Sequence, residues 1–313
     1  MGVSMAHGAA VPLDETSLTW KYFGDWRGIL LGLWAGSMQN MHPQLGAGVE
    51  EHSLFFDERW ERLYRSLYPI YGVVYDGERA EQTALEIRGY HRTIKGIDKA
   101  GRPYSALNPE TFFWAHSTFA MGPIAVNRYF GDRLTESDKE RLYAESIQWY
   151  RLYGMTMRNV PPDWKSFQDY WNDMCANVLE DNKATRDVLD ICRLERPPFL
   201  PWLPHPLWRL VRIPVARGYV WLTVGMYPDP VRKRLGYKWS RADELVLVAL
   251  GRVVAWSWKL LPTDRRFHPR ARAAWRRSRG ELPAGALLVQ TPARNLPPVE
   301  RRDLPQHYSP TLP

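Results

Sequence analysis

The chain has 313 residues, of which 45% are hydrophobic and 24% charged, with a formal net charge of +8. That length supports a substantial core in one domain. Its two cysteines, Cys175 and Cys192, exclude a disulfide framework and a cysteine metal cluster and favour a reducing, cytoplasmic setting.

Residues 1–16 lack a basic start and a long apolar run, so they are expected to form a flexible terminus and not a signal peptide. Helical periodicity then predicts helices over residues 26–41, 43–52, 57–75, 78–95, 109–130, 136–155, 163–179, 183–192, 206–219, 241–261 and 269–279. Thr135 with Asp138 three residues on is a capping box for the sixth of these. The pairs Pro161-Pro162 and Pro197-Pro198 punctuate the later ones. Residues 281–313 are proline-rich with little apolar periodicity, a tail that is disordered or draped on the surface. The expected fold is all-α, one multi-helix domain over residues 17–280. No stretch has the uninterrupted apolar length of a spanning helix.

Two histidines stand in segments built to hold them. Asn108 is a favoured N-cap, Pro109 suits the first helical position, and Glu110 complements the positive helix end. His116 lies about two turns further on, with Phe112, Phe113, Phe119 and Ala120 at helical spacing around it. Large apolar neighbours push an imidazole towards its neutral, metal-binding form. A core histidine bonded to a carbonyl is the competing reading. On the helix expected over residues 78–95 the apolar stripe runs Ala80, Ala84, Ile87, His91, Ile94, with Arg88, Arg92 and Lys95 on its flank. Those cations suit carboxylates such as haem propionates, or else form a solvated basic edge. Between the two helices, Gly101-Arg102-Pro103-Tyr104-Ser105 is a loop that folds one back on the other. Two histidines facing a common apolar space are what a non-covalent haem needs; the c-type attachment motif is absent.

The chain resembles the latex-clearing-protein and MpaB-type haem oxygenases from about Trp20 to Arg279. The resemblance rests on Gln39-Asn40-Met41-His42-Pro43, Gly48-Val49-Glu50-Glu51-His52 and Arg88-Gly89-Tyr90-His91-Arg92-Thr93-Ile94-Lys95-Gly96. It continues through Gly101 to Glu110, the Phe113-Trp114-Ala115-His116-Ser117-Thr118-Phe119 box, Tyr170-Trp171 and the segment from Trp202 to Arg209. It implies a globin-like helical core around one haem b, an axial histidine at His116, and dioxygen chemistry on double bonds of apolar, isoprenoid-like substrates. Rubber oxygenases carry a distal lysine three residues after the arginine; here that position is His91, as in the MpaB-like branch.

On this resemblance His116 is the proximal ligand and His91 a distal group or displaceable sixth ligand. Arg88 and Arg92 would serve the distal side or a propionate, Phe112 and Phe113 line the pocket, and His42 lines it or bonds a propionate. Thr93 or Thr118 could donate nearby, although helical threonines more often bond their own backbone. The alternative is a non-catalytic haem-binding or electron-transfer protein with bis-histidine iron. Carboxylates at matched Glu-x-x-His spacing, which a di-iron site needs, are missing. Arg265, Arg266, Arg270, Arg272, Arg276, Arg277 and Arg279 follow an apolar helix, a pairing that suits peripheral contact with an anionic membrane or else a solvated helix face. No nucleic-acid-binding motif accompanies it.

Overall fold

The computed structural model describes residues 11–53, 58–198, 200–283 and 285–301. Among them lie thirteen α-helices and one short hairpin: α1 (Leu18–Tyr22), α2 (Gly32–Asn40), α3 (Pro43–His52), α4 (Arg59–Tyr75), α5 (Ala80–Tyr90), β1 (Lys95–Ile97), β2 (Pro103–Ser105), α6 (Pro109–Phe130), α7 (Glu136–Arg151), α8 (Trp164–Asp173), α9 (Lys183–Leu189), α10 (His205–Met226), α11 (Asp229–Arg234), α12 (Arg241–Trp258) and α13 (Pro269–Ser278). The all-α class expected from periodicity is the class observed. Residue 57, the expected start of α4, the first ten residues and those from 302 onward lie outside the described residues, as does His307.

The central element is α6, packed against α2, α7, α12 and the 3-10 turn Trp26–Leu31. It starts where its caps dictate. The Asn108 side chain accepts from Glu110 N–H at 2.9 Å, and Pro109 opens the first turn. Trp114 is fully buried and donates its indole N–H to the Met38 carbonyl of α2 at 2.9 Å. Near the C-terminal end of α6, α12 comes so close that a Cβ on Gly251 would overlap the Tyr129 carbonyl oxygen. Only glycine permits that approach. The capping box of α7 forms as read, with Thr135 and Asp138 satisfying each other's backbone N–H.

Several boundaries move. The helix expected over 78–95 ends at Tyr90, preceded by a 3-10 turn at Gly77–Arg79, and His91 is its C-cap. Lys95 opens β1, which pairs antiparallel with β2 through a turn at Gly101, φ +79°. Lys95 therefore does not share a helix with Arg88. Ile94 kept the stripe's spacing, but it packs with Tyr104 and Ala106 in a small cluster of its own. The β-branched pair Thr93-Ile94 suits the extended hairpin better than a helix. Residues 26–41 divide into the 3-10 turn and α2, the helix over 163–179 closes in a π-helical turn at Met174–Val178, and α10 runs on to Met226. Helices α1 and α11 were not anticipated.

The arginine-rich end is largely consumed by the fold. Arg270 is buried and forks onto Asp76, with Nε to Oδ1 at 2.7 Å, and donates to the Tyr68 carbonyl at 3.0 Å. Arg277 donates to the Tyr75 carbonyl at 2.7 Å, while Arg276 and Arg279 pair with Glu281. The helix α13 is thus docked on α4 by its cations.

His268 caps α13, accepting the Arg270 N–H at 3.2 Å, and is fully buried between Tyr68 and Tyr71. Burial first, then the charges of Arg270 and Arg272, push its pKa from 6.5 down to about 3. The unfolded chain therefore binds a proton that the folded one refuses, and stability falls as pH drops from about 6.5 towards 3. His268→Asn keeps a capping acceptor and removes this proton. Urea unfolding across that range should show a slope shallower by up to about 1.4 kcal/mol per pH unit in the variant; identical slopes would refute the assignment.

Candidate functional site

Helix α6 is apolar around much of its circumference, so its buried polar side chains must find partners inside the protein. Thr111 donates to Gln44 Oε1 at 2.9 Å, Ser117 to the Phe113 carbonyl at 2.7 Å, and Asn127 to the Pro123 carbonyl at 2.9 Å. Thr118 donates to the Ala115 carbonyl at 2.8 Å and accepts from Gln39 Nε2 at 2.7 Å. His116 is the exception. It is 3% exposed, and neither ring nitrogen has a hydrogen-bond partner among the described residues. Burial pushes its pKa from 6.5 down to about 3, against an opposing interaction with the Ser146 backbone. The imidazole is therefore neutral at physiological pH, with a lone pair available.

An aromatic cage surrounds it. Ring centroids lie at 4.4 Å for Trp149, 4.7 Å for Tyr150, 6.0 Å for Phe113 and 6.4 Å for Tyr153. The Tyr150 hydroxyl is likewise buried without a hydrogen-bond partner among the described residues, and burial raises its pKa. Trp149, Tyr150 and Tyr153 come from α7 and the turn after it, and were missed in the sequence. Their spacing, i, i+1 and i+4, marks a helix face, but nothing local says that this face meets His116.

His91 joins the same aromatic cluster from the other end. Its ring lies 6.1 Å from Phe112, which in turn lies 5.1 Å from Tyr153. His91 is half-buried, and its Nδ1–H donates to the Ile87 carbonyl at 2.7 Å, which fixes the tautomer with the lone pair on Nε2. Burial lowers its pKa, and that hydrogen bond partly opposes the shift. The two histidines thus share one cluster, with Phe112 and Tyr153 packed between them.

The other expected residues are placed differently. Arg88 donates to the carbonyls of both Tyr153 and Gly154 at 3.0 Å, holding the turn that carries Tyr153. Arg92 and Thr93 are exposed. His42 is buried at the N-cap of α3, its Nδ1 without a partner among the described residues, and burial takes its pKa to about 4 against the pull of Glu180. Among the described residues no ring contact joins His42 to the His116 cluster. His52 bonds the Tyr104 hydroxyl at 3.0 Å, beside the Tyr104–Glu51 hydrogen bond. No group of three metal-ligating side chains occurs among the described residues.

The Arg88 clamp has a measurable consequence. Arg88→Met should cost about 1.5 kcal/mol in urea unfolding, the lower end for bonds from a charged donor, since one of the two faces solvent. An unchanged unfolding midpoint would show the clamp to be idle.

A family model described as "ER-bound oxygenase mpaB/B'/Rubber oxygenase, catalytic domain" matches residues 20–256. No curated protein and no solved structure matches the chain.

Proposed function

The chain belongs to the mpaB/rubber oxygenase catalytic-domain family and is an oxygenase, and from that premise we propose that it holds one haem b on His116 and uses dioxygen to oxidise or cleave a carbon–carbon double bond in an apolar, isoprenoid-like substrate. One observation carries this reading. Every other buried polar side chain of α6 is hydrogen-bonded internally, while both nitrogens of His116 are buried without a hydrogen-bond partner among the described residues. An unsatisfied buried imidazole is costly unless something occupies its lone pair. A bond from His116 to haem iron would do so, and flat rings are the lining that a flat macrocycle would take.

Haem, when bound, supplies the dioxygen and electron chemistry that side chains lack. The chain's own residues do the rest. His116 stays neutral and ligates. Phe112, Phe113, Trp149 and Tyr153 exclude water from this region, and a macrocycle would occupy space that their rings now fill. Tyr150 brings an unbonded hydroxyl to the same wall. Arg88 steadies the turn that carries Tyr153, and Arg92, on the surface near His91, is the cation available to a propionate. His91, with its lone pair on Nε2, would be a second polar group toward the bound haem. An apolar substrate of this kind concentrates in membranes, so peripheral contact with an anionic membrane belongs to the same proposal.

The bis-histidine alternative keeps one specific support. A ligating histidine commonly donates its other N–H to a backbone carbonyl, as His91 does to Ile87. The absorption spectrum separates the readings. A Soret band that moves with carbon monoxide after reduction marks an accessible iron, and a band indifferent to it marks permanent bis-histidine ligation. No band after haem reconstitution would overturn both. His116→Ala should lose haem stoichiometrically while staying helical, whereas His91→Ala should keep haem, change its spin state and slow dioxygen consumption. Equal haem loss in the two variants would make the histidines equivalent ligands.

A further inference from the structure

Helices α10 and α12 touch each other on the outside of the core, and both leave apolar side chains in solvent. From α12 these are Leu245, Val246, Val248, Leu250, Val253 and Trp256, three of them 61–71% exposed. The helix buries little besides Leu247 and Gly251. The first half of α10 adds Leu207, Leu210, Ile213 and Val215, with Leu210 74% exposed. Single exposed leucines are ordinary, but two adjoining helices that do this together are not. No helix among the described residues is long and apolar enough to cross a membrane.

Charge identifies what covers this face. From Leu245 to Leu261, and throughout α10, there is no carboxylate. The exposed charges there are cations: Arg209 and Arg217 on α10, Arg252 on α12, and Lys259 just after it. None of the four forms an ion pair among the described residues, whereas Arg270, Arg276 and Arg279 of the basic end do. The nearby carboxylates stand at the margins. Asp243 is bonded to Ser240 and Trp221, Glu244 to Trp239, and Asp264 lies beyond Leu261. A second copy packed symmetrically on this face would set these cations against their own equivalents, while Asp243 and Glu244, in the first turn of α12, stand at the margin and are already bonded to Trp221 and Trp239. Lipid phosphates supply the missing anions, and acyl chains cover the apolar side chains.

We propose that α10 and α12 form a docking face for an anionic lipid surface, with Leu210, Leu245, Val253 and Trp256 entering the interface and Arg209, Arg217, Arg252 and Lys259 engaging headgroup phosphates. This deepens the reading of an apolar substrate by giving the place where the protein meets the phase that dissolves it. The docking itself does not depend on haem.

The test is flotation of the full chain with vesicles of phosphatidylcholine alone and of phosphatidylcholine mixed with phosphatidylglycerol. The wild type should bind the mixed vesicles at least about tenfold more tightly, with salt eroding the difference. Arg209→Glu with Arg252→Glu should lose about tenfold or more on the mixed vesicles, and Val253→Asp with Trp256→Asp should abolish binding to both. Circular dichroism and haem content should stay unchanged in both variants. Equal partitioning of the wild type onto the two vesicle types, no partitioning, or variants that bind as the wild type does would overturn the proposal. So would a lipid-free dimer that the Val253→Asp, Trp256→Asp variant dissolves, since that outcome gives the face to a second copy. A chain that floats but shows no Soret band refutes the haem reading and leaves the docking face standing.

Discussion

The burial of α6 is the constraint on which the rest of the structure depends. A 22-residue helix enclosed by α2, α7, α12 and the 3-10 turn at Trp26 has little water to satisfy its polar groups. Each polar side chain inside must be answered by the helix itself or by a neighbour. Four residues are answered: Thr111, Ser117, Thr118 and Asn127. His116 is not answered among the described residues, although the rings of Trp149 and Tyr150 pack against it. An unmet lone pair on this buried helix makes ligation the economical explanation. Family membership in an oxygenase group says independently that chemistry takes place in this chain.

Arginine is the second organising element. A net charge of +8 invites a search for an anionic partner, yet many of the guanidinium groups are occupied indoors. Arg88 holds the carbonyls after α7, Arg234 those of Cys175 and Ala176, and Arg277 that of Tyr75. Arg270 is buried against Asp76. Carbonyl groups left open at helix ends and turns are natural acceptors for such donors. Much of the basic run near the end of the chain is thereby a fastening for α13, while among the described residues Arg209 and Arg217 of α10 and Arg252 of α12 form no ion pair.

Much of the helical framework was legible along the chain because it is written in local chemistry. The caps at Asn108 and Thr135 set the starts of α6 and α7, and proline at the first position set α3 and α6. The stripe through His91 was legible in part. Ala80, Ala84 and Ile87 do face the core, but Ile94 continues the same spacing into a hairpin. Periodicity counts residues and is blind to backbone hydrogen bonds made with a strand that comes later. The interval between His91 and Ile94 reads the same whether it is a helical turn or a bend into β1.

What the sequence by itself determined is the class of fold, the identity of α6 and its caps, and the candidacy of His91 and His116 as residues set in apolar segments. Tertiary structure alone decided that His116 has no hydrogen-bond partner among the described residues, that Trp149, Tyr150 and Tyr153 pack around it, and that Arg88 serves the turn that carries Tyr153. It also decided that α12 keeps its apolar side chains outside. The reason is the range of the forces involved. Capping and helical spacing act within a turn or two, so adjacent residues record them. Enclosure, satisfaction and exposure depend on which helix arrives from a distant part of the chain, and only the packed structure brings α7 to His116 and leaves α12 facing outward.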